Sequence, residues 1–236
     1  MKQSISSIGI WIVGATLIIV LFLVMAFLSL ILYPFDKKRR IVHAQCFWWA
    51  DALIAFNPYW DVQVGGLENI DHKRTYVVVS NHQSLADIVL MYKTKMQFKW
   101  VAKDALFKIP ILGWNMRLAR HIRLKRGNLS SIKRVYKEAG GWLRKKVSVV
   151  FFPEGTRSDN DGIGEFQNGA FKLAIKEKVP ILPVLIEGTR NAIPKGSWRF
   201  TTKRTCAIKV FPPIETLGLA ASDFIRLREQ VKVQLS

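Results

Sequence analysis

From Ile8 to Tyr33 the chain reads IGIWIVGATLIIVLFLVMAFLSLILY without a single charged residue. Roughly 20 consecutive apolar residues cover the hydrocarbon core of a bilayer in helical form, so the first element of this molecule is expected to be a helix in a membrane. A cleaved secretion signal has an apolar stretch of only about 7 to 15 residues, flanked by a positive segment and a small-residue cleavage site. Here the run is longer and Lys2 is the only charge ahead of it, which predicts an uncleaved anchor. Lys37, Lys38, Arg39 and Arg40 follow at once. Positively charged loops stay on the cytoplasmic side, so the rest of the chain is expected on the cytoplasmic face of the inner (cytoplasmic) membrane. Each of these charges can attract an anionic headgroup with about 1 kcal/mol. Length is compatible both with crossing and with lying in one leaflet.

A second apolar stretch, CFWWADALIAFNPYW from Cys46 to Trp60, is shorter and carries Asp51. Its Trp48, Trp49, Phe56, Tyr59 and Trp60 suit the headgroup boundary, where amphipathic rings keep one end wet. It reads as an interfacial helix returning the chain to the membrane surface; the competing reading is a core helix of the soluble domain. The expected organisation is a membrane anchor with interfacial helix over 1–62 and one globular domain over 63–236, long enough to bury its own core.

Beyond Pro58, short β-branched runs alternate with longer charged, periodic ones. TYVVVS (75–80), VSVVFF (147–152), ILPVLIE (181–187) and CAIKVF (206–211) predict strands, the middle two apolar on both faces; FKWVA and HIRL are weaker candidates. Leu85–Tyr92, Leu129–Lys146, Asn168–Lys178 and a last stretch capped by Ser222 predict helices. Strands alternating with helices imply a layered α/β fold: a largely parallel mixed sheet flanked by helices, after an N-terminal membrane-embedded helical segment. In such folds ligands sit beyond the carboxyl ends of strands. Lys and Arg total 36 against 17 Asp and Glu, a formal net charge of +19, so partners should be anionic: phosphorylated substrates, anionic membrane lipids or nucleic acid. No nucleic-acid-binding motif is present, and a membrane helix argues against that last class. The two cysteines, Cys46 and Cys206, have no metal or redox spacing and read as reduced packing residues.

Two of the strands are followed by reactive groups. After the first comes SNHQSLADIVL, residues 80–90, where Ser84 and Asp87 have the spacing of a helix cap while His82 and Asp87 could form an imidazole–carboxylate pair. After the second comes PEGTRS, 153–158. With these in order the chain resembles the membrane glycerolipid acyltransferases, in particular the bacterial 1-acylglycerol-3-phosphate acyltransferases, from about Gln45 to the C-terminus. The motif N-H-x4-D stands as Asn81, His82 and Asp87, F-P-E-G-T-R-S as Phe152 to Ser158, and V-P-I-L-P-V as Val179 to Val184. A further motif departs from the usual pattern: HIRLKRGN has Lys125 where aspartate is common, followed by Arg126.

The resemblance implies transfer of a fatty acyl group from acyl-CoA or acyl carrier protein to a lysophospholipid hydroxyl, with no cofactor and no metal. His82 is then the general base and Asp87 the partner of its other ring nitrogen. Backbone N–H groups around Gly155 and the cation Lys103 are candidates for supporting the oxyanion. Arg126 and Arg157 are candidates for the acceptor phosphate, and Glu154 and Thr156 for the glycerol oxygens or for orienting Arg157. The basic run Arg117, Arg120, His121, Arg123 and Lys125 reads mostly as a face against anionic membrane. A rival mechanism would use Ser84 as nucleophile; rival functions are acylation of another lysophospholipid, such as a lyso-ornithine lipid, and non-catalytic lipid binding.

Overall fold

The computed structural model describes residues 2–156, 162–193 and 198–236. Its centre is a seven-stranded sheet built from β1 (Trp60–Gly65), β2 (Val77–Ser80), β3 (Phe98–Lys103), β4 (Ile122–Leu124), β5 (Ser148–Phe151), β6 (Ile181–Glu187) and β7 (Arg204–Val210), in the order β1-β7-β6-β2-β5-β3-β4. Every neighbouring pair is parallel except β6 and β7. The carboxyl ends of β2, β3, β4, β5 and β6 therefore share one edge of the sheet with the amino ends of β1 and β7.

Apolar residues on both faces of the central strands require cover on both sides. Val78, Phe98, Trp100, Val150 and Leu182 pack under helices α1 (Lys2–Ile31), α2 (Arg40–Ala55) and α3 (Ala86–Met91). Val77, Val79, Val149 and Ile181 pack under α5 (Leu129–Arg144), α6 (Gly169–Glu177) and α7 (Phe224–Leu235). The six predicted strands and the predicted helices are all present. β1 is an addition: its Trp60, Val62 and Val64 alternate with Asp61 and Gln63, and it pairs only with β7 at the sheet edge. It begins at Trp60, inside the stretch expected to be interfacial helix. Helix α4 (Leu112–Leu118) is a second addition. Before α7 the chain makes a turn of 3-10 helix in which Asp223, not Ser222, accepts the Ala220 N–H.

Helix α2 starts at Arg40 because the Asp36 carboxylate collects three of its orphan N–H groups, those of Arg40, Ile41 and Val42, at 2.7, 3.1 and 3.2 Å. Its Val42, Cys46 and Ala50 are buried in the same core as the strands, which corrects the interfacial reading: one face of this helix is core, and Ile41 and Phe56 are exposed on the other. Arg39 is also buried rather than facing headgroups, and the turn it belongs to is gripped from the domain. Arg120 donates to Lys37 O, Lys99 Nζ to Lys38 O, and Gln97 to Arg39 O.

Helix α1, long and apolar enough to cross a membrane, lies along the domain. Ser7, Leu21, Met25 and Ser29 are buried in a stripe at helical spacing, while Ile5, Ile8, Ile12, Ile19, Leu23, Phe27 and Leu30 are exposed on the other side. Ser7 Oγ accepts the Phe200 N–H at 2.9 Å and Trp11 Nε1 donates to Trp198 O at 2.7 Å. Further along, Asn115 donates to Ile18 O and the Phe22 ring meets Trp114 at 5.3 Å. The outer stripe is a contiguous apolar face that none of the described residues covers, the kind of surface that belongs in lipid.

Candidate active site

The site is built where β2 ends. Beyond Ser80 the backbone can no longer pair with β6, and the Asn81 side chain takes over: Nδ2 donates to Ile186 O at 2.7 Å and Oδ1 accepts the Ile186 N–H at 2.8 Å. A buried amide thus stands in for a peptide group and adds one rung to the ladder. The chain then turns into α3, with Ser84 Oγ accepting the Ala86 N–H at 3.3 Å.

Asp87, in the first turn of α3, is fully buried. Its Oδ2 accepts from His82 Nδ1 at 2.7 Å, Gln83 N at 2.7 Å and Ser84 N at 2.9 Å. Its Oδ1 accepts from the Thr189 hydroxyl. Helix cap and histidine partner, which the sequence presents as alternatives, are one carboxylate doing both. An ionised carboxylate has only acceptors, so His82 Nδ1 carries the proton and Nε2 presents its lone pair, without a partner among the described residues. The imidazole is mostly buried, its side chain 16% exposed. It stacks on Phe152 at 4.1 Å and 13° between planes, and Phe152 stacks on Trp100 at 5.3 Å.

From the loop after β5, Glu154 Oε1 accepts the His82 N–H at 2.8 Å and Oε2 accepts the Gly164 N–H at 2.8 Å. Both oxygens are thus engaged by backbone, so Glu154 holds the histidine's main chain and closes its own loop. Gly155 is needed for its left-handed backbone, φ +74°, and its N–H is donated to Phe152 O at 3.1 Å. That donor is engaged in the turn. Thr156 is exposed at the rim. Arg157 lies outside the described residues.

Lys103 ends β3, exposed, and Arg126 is exposed in the turn after β4. With strands about 4.8 Å apart, β3 lies about 10 Å from β2 and β4 about 14 Å, so both cations rim the same sheet edge on the β5 side without touching His82. The neighbouring basic run is not one membrane face. His121 is half-buried, its Nδ1 accepting the Trp100 N–H, with its basicity lowered by burial and then by His43 and Lys99. Arg120 is engaged at the α1–α2 turn, and Arg123 pairs with Asp104 at 3.3 Å. The cysteines are buried and free, Cys46 pushed up to about 12 and Cys206 to about 11, by burial first. Among the described residues no cluster of His, Cys, Asp and Glu could hold a metal. Thr189, just after β6, escaped sequence reading although the rule that ligands gather at strand ends points to that position.

The family described as Acyltransferase matches residues 61–187. The chain is 34% identical over 203 residues to a chloroplastic 1-acyl-sn-glycerol-3-phosphate acyltransferase of Arabidopsis thaliana, covering 86% of this chain and 56% of the relative. It is 34% identical over 173 residues to the mouse (Mus musculus) 1-acyl-sn-glycerol-3-phosphate acyltransferase alpha, covering 72% and 61%. The chain spans about half the length of the plant and algal relatives it matches. The crystal structure of the 1-acyl-sn-glycerophosphate acyltransferase of Thermotoga maritima superposes with a TM-score of 0.83 at 30% identity, over 99% of this chain and 93% of that one. The match covers the strand ends that carry His82, Asp87 and Glu154, and on it this chain belongs to the acyltransferase family.

Proposed function

We propose that the protein transfers a fatty acyl group from acyl-CoA or acyl carrier protein to the sn-2 hydroxyl of 1-acylglycerol-3-phosphate, forming phosphatidic acid. What carries the reading is the 2.7 Å contact of His82 Nδ1 with a buried carboxylate, leaving Nε2 without a partner among the described residues at the carboxyl end of β2. An alcohol is a poor nucleophile until its proton is removed. His82 Nε2 takes that proton as the hydroxyl oxygen attacks the thioester carbonyl. The tetrahedral intermediate collapses with loss of the C–S bond, and the departing thiolate takes the proton back, giving ester and thiol. A positioned base contributes about 10² to 10⁴ in rate, and Asp87 stabilises the imidazolium between the two proton transfers.

Ser84 is better suited to its cap than to nucleophilic attack, since its oxygen is held by the Ala86 N–H and makes no bond to His82. Lys103, Arg126 and Arg157 are the cations we assign to the acceptor phosphate. The uncovered apolar stripe of α1 and the basic residues after it favour the cytoplasmic face of the cytoplasmic membrane. The test is a panel of lyso-acceptors offered with both donors to the wild type and to His82→Ala. Transfer to 1-acylglycerol-3-phosphate that drops at least about a hundredfold in the variant is expected. No transfer to that acceptor, with transfer to another lysophospholipid, would move the assignment to the other headgroup; transfer undiminished in His82→Ala would remove the base.

A further inference from the structure

A cleft of about 370 Å³ opens beside the histidine on the side of β2 away from the β5 loop, lined by Gln83, Gly188, Arg190, Lys203, Arg204 and Thr205 among others. Gln83 follows the proposed base directly. Lys203 and Arg204, at the amino end of β7, are exposed, and Arg190 follows Thr189 on the way out of β6. Among the described residues Asp61 of β1 faces this group, its Oδ2 accepting from the Thr205 hydroxyl at 3.4 Å. Cations therefore flank His82 on both sides: Lys103 and Arg126 past β5, and this trio past β6.

From this arrangement we infer that the cleft over β6 and β7 is the docking site for the phosphate groups of the thioester donor, with coenzyme A as the ligand. The inference rests on the acyl transfer proposed above. That reaction brings two phosphorylated substrates to one base, and their phosphates lie at very different distances from the reacting atoms. The acceptor's phosphate is a few covalent bonds from the attacking hydroxyl, so its site is close to His82 Nε2. The donor's phosphates lie beyond the long pantetheine arm. β7 is two strands from β2, about 10 Å by strand spacing, so the cleft is reached from His82 across β6. The volume falls in the range of small-ligand sites, about 300 to 1,000 Å³, whereas a lone headgroup phosphate needs far less. The rim is also held in place. Arg204 N donates to Tyr59 O at 2.8 Å, the Tyr59 and Phe200 rings stack at 5.9 Å, and Phe200 is bonded to Ser7 of α1.

The experiment uses the full chain in neutral detergent micelles, comparing wild type with Lys203→Gln/Arg204→Gln. Both side chains are exposed, so the fold should survive; tryptophan-fluorescence unfolding confirms it, and Arg204→Lys serves as a conservative control. KM for acyl-CoA should rise about tenfold in the double variant, with kcat within about twofold and KM for 1-acylglycerol-3-phosphate unchanged. Adenosine 3′,5′-bisphosphate should inhibit the wild type competitively against acyl-CoA, and its affinity by calorimetry should fall by a similar factor in the variant. A rise in KM for the acceptor alone would make the cleft the acceptor's. A loss confined to sedimentation with phosphatidylglycerol vesicles would make it a lipid-facing patch, and a rise for acyl carrier protein alone would make it a protein-docking surface. No change in any of these would also overturn it. Bisphosphate binding that needs Lys203 and Arg204 in a protein that transfers nothing would sink the proposed reaction and leave the cleft standing.

Discussion

Replacing Asp87 by Asn and by Ala should separate its two duties. Four donors converge on the carboxylate: His82 Nδ1, Gln83 N and Ser84 N on Oδ2, and the Thr189 hydroxyl on Oδ1. In Asp87→Ala the two backbone N–H groups lose their acceptor at a buried site. Each unsatisfied group costs about 1–3 kcal/mol, giving about 2–6 kcal/mol from a total stability of about 5–15 kcal/mol. In Asp87→Asn the backbone donors dictate how the amide sits. Its oxygen must face Gln83 N and Ser84 N, so its NH₂ faces Thr189, whose hydroxyl can accept as well as donate. His82 Nδ1 therefore keeps an acceptor and the ring keeps its tautomer; only the charge is lost. An imidazolium and a carboxylate about 4 Å apart attract by about 4 kcal/mol at an effective dielectric of about 20. With the proton half transferred, about 2 kcal/mol of that is lost from the transition state, or roughly 30-fold in kcat. Asp87→Asn should thus unfold within about 1–2 kcal/mol of wild type in guanidinium, followed by tryptophan fluorescence in micelles, with kcat down about 30-fold. Asp87→Ala should be much less stable. An Asn variant as unstable as the Ala variant, or as inactive as His82→Ala, would refute the argument that the backbone donors orient the side chain.

Thr189→Val strips the donor from the buried Oδ1 of Asp87; it should lower stability by about 1.5–3 kcal/mol and kcat by roughly tenfold with both KM values unchanged, and Thr189→Ser should recover most of the loss in the same rate assay. Glu154→Ala frees the His82 and Gly164 N–H groups together, and initial rates should fall by about 10- to 100-fold through misplacement of the base, less for Glu154→Gln, which keeps acceptor oxygen. Burial, with lesser contributions from neighbouring charges, lowers Lys99 to about 7. Between that value and the ordinary one near 10.5 the unfolded chain holds a proton that the folded chain lacks. This lysine's contribution to stability therefore rises with pH by about 1.4 kcal/mol per unit in that window and is flat below it. The stability difference between wild type and Lys99→Met, from guanidinium titrations at pH 7 and 9, should shift by about 2–3 kcal/mol in favour of wild type at the higher pH; a constant difference would mean that Lys99 stays charged.

Where a segment buries apolar residues on both faces, as in VVVS of β2 and ILPVLIE of β6, its pattern is visible one residue at a time, and the strands lie where periodicity puts them. The same holds for the ends of β2 and β5, because a parallel sheet gathers its carboxyl ends and the polar residues there interrupt otherwise apolar runs. β1 was hidden because an edge strand has half the pairing and an exposed face, and its Trp60 continues an aromatic series that looks interfacial. The burial of Arg39 was hidden because the groups that receive its turn, Gln97, Lys99 and Arg120, are about sixty to eighty residues away. A glycine needed for positive φ and one needed for a free N–H look alike in sequence, and only the bond of Gly155 N–H to Phe152 O shows the first need here. Thr189 carries no motif of its own; what recruits it is the β2–β6 register, which brings the residue after Glu187-Gly188 over α3.

The contacts of α1 with Trp198 and Phe200 span 187 and 193 residues of sequence. The helix is synthesised well before Trp198 and Phe200. At about 5–20 residues per second, synthesis of the intervening chain takes roughly 10–40 s, during which Ser7 and Trp11 lack these two partners. An apolar helix end left bare in that interval is suited to lipid. Docking the finished domain must then displace acyl chains from one side of a helix that is apolar all round, so final assembly takes place at the membrane and late. This molecule is completed by an exchange of lipid for protein along one helix face, a step that synthesis without a bilayer or a detergent has no means to stage.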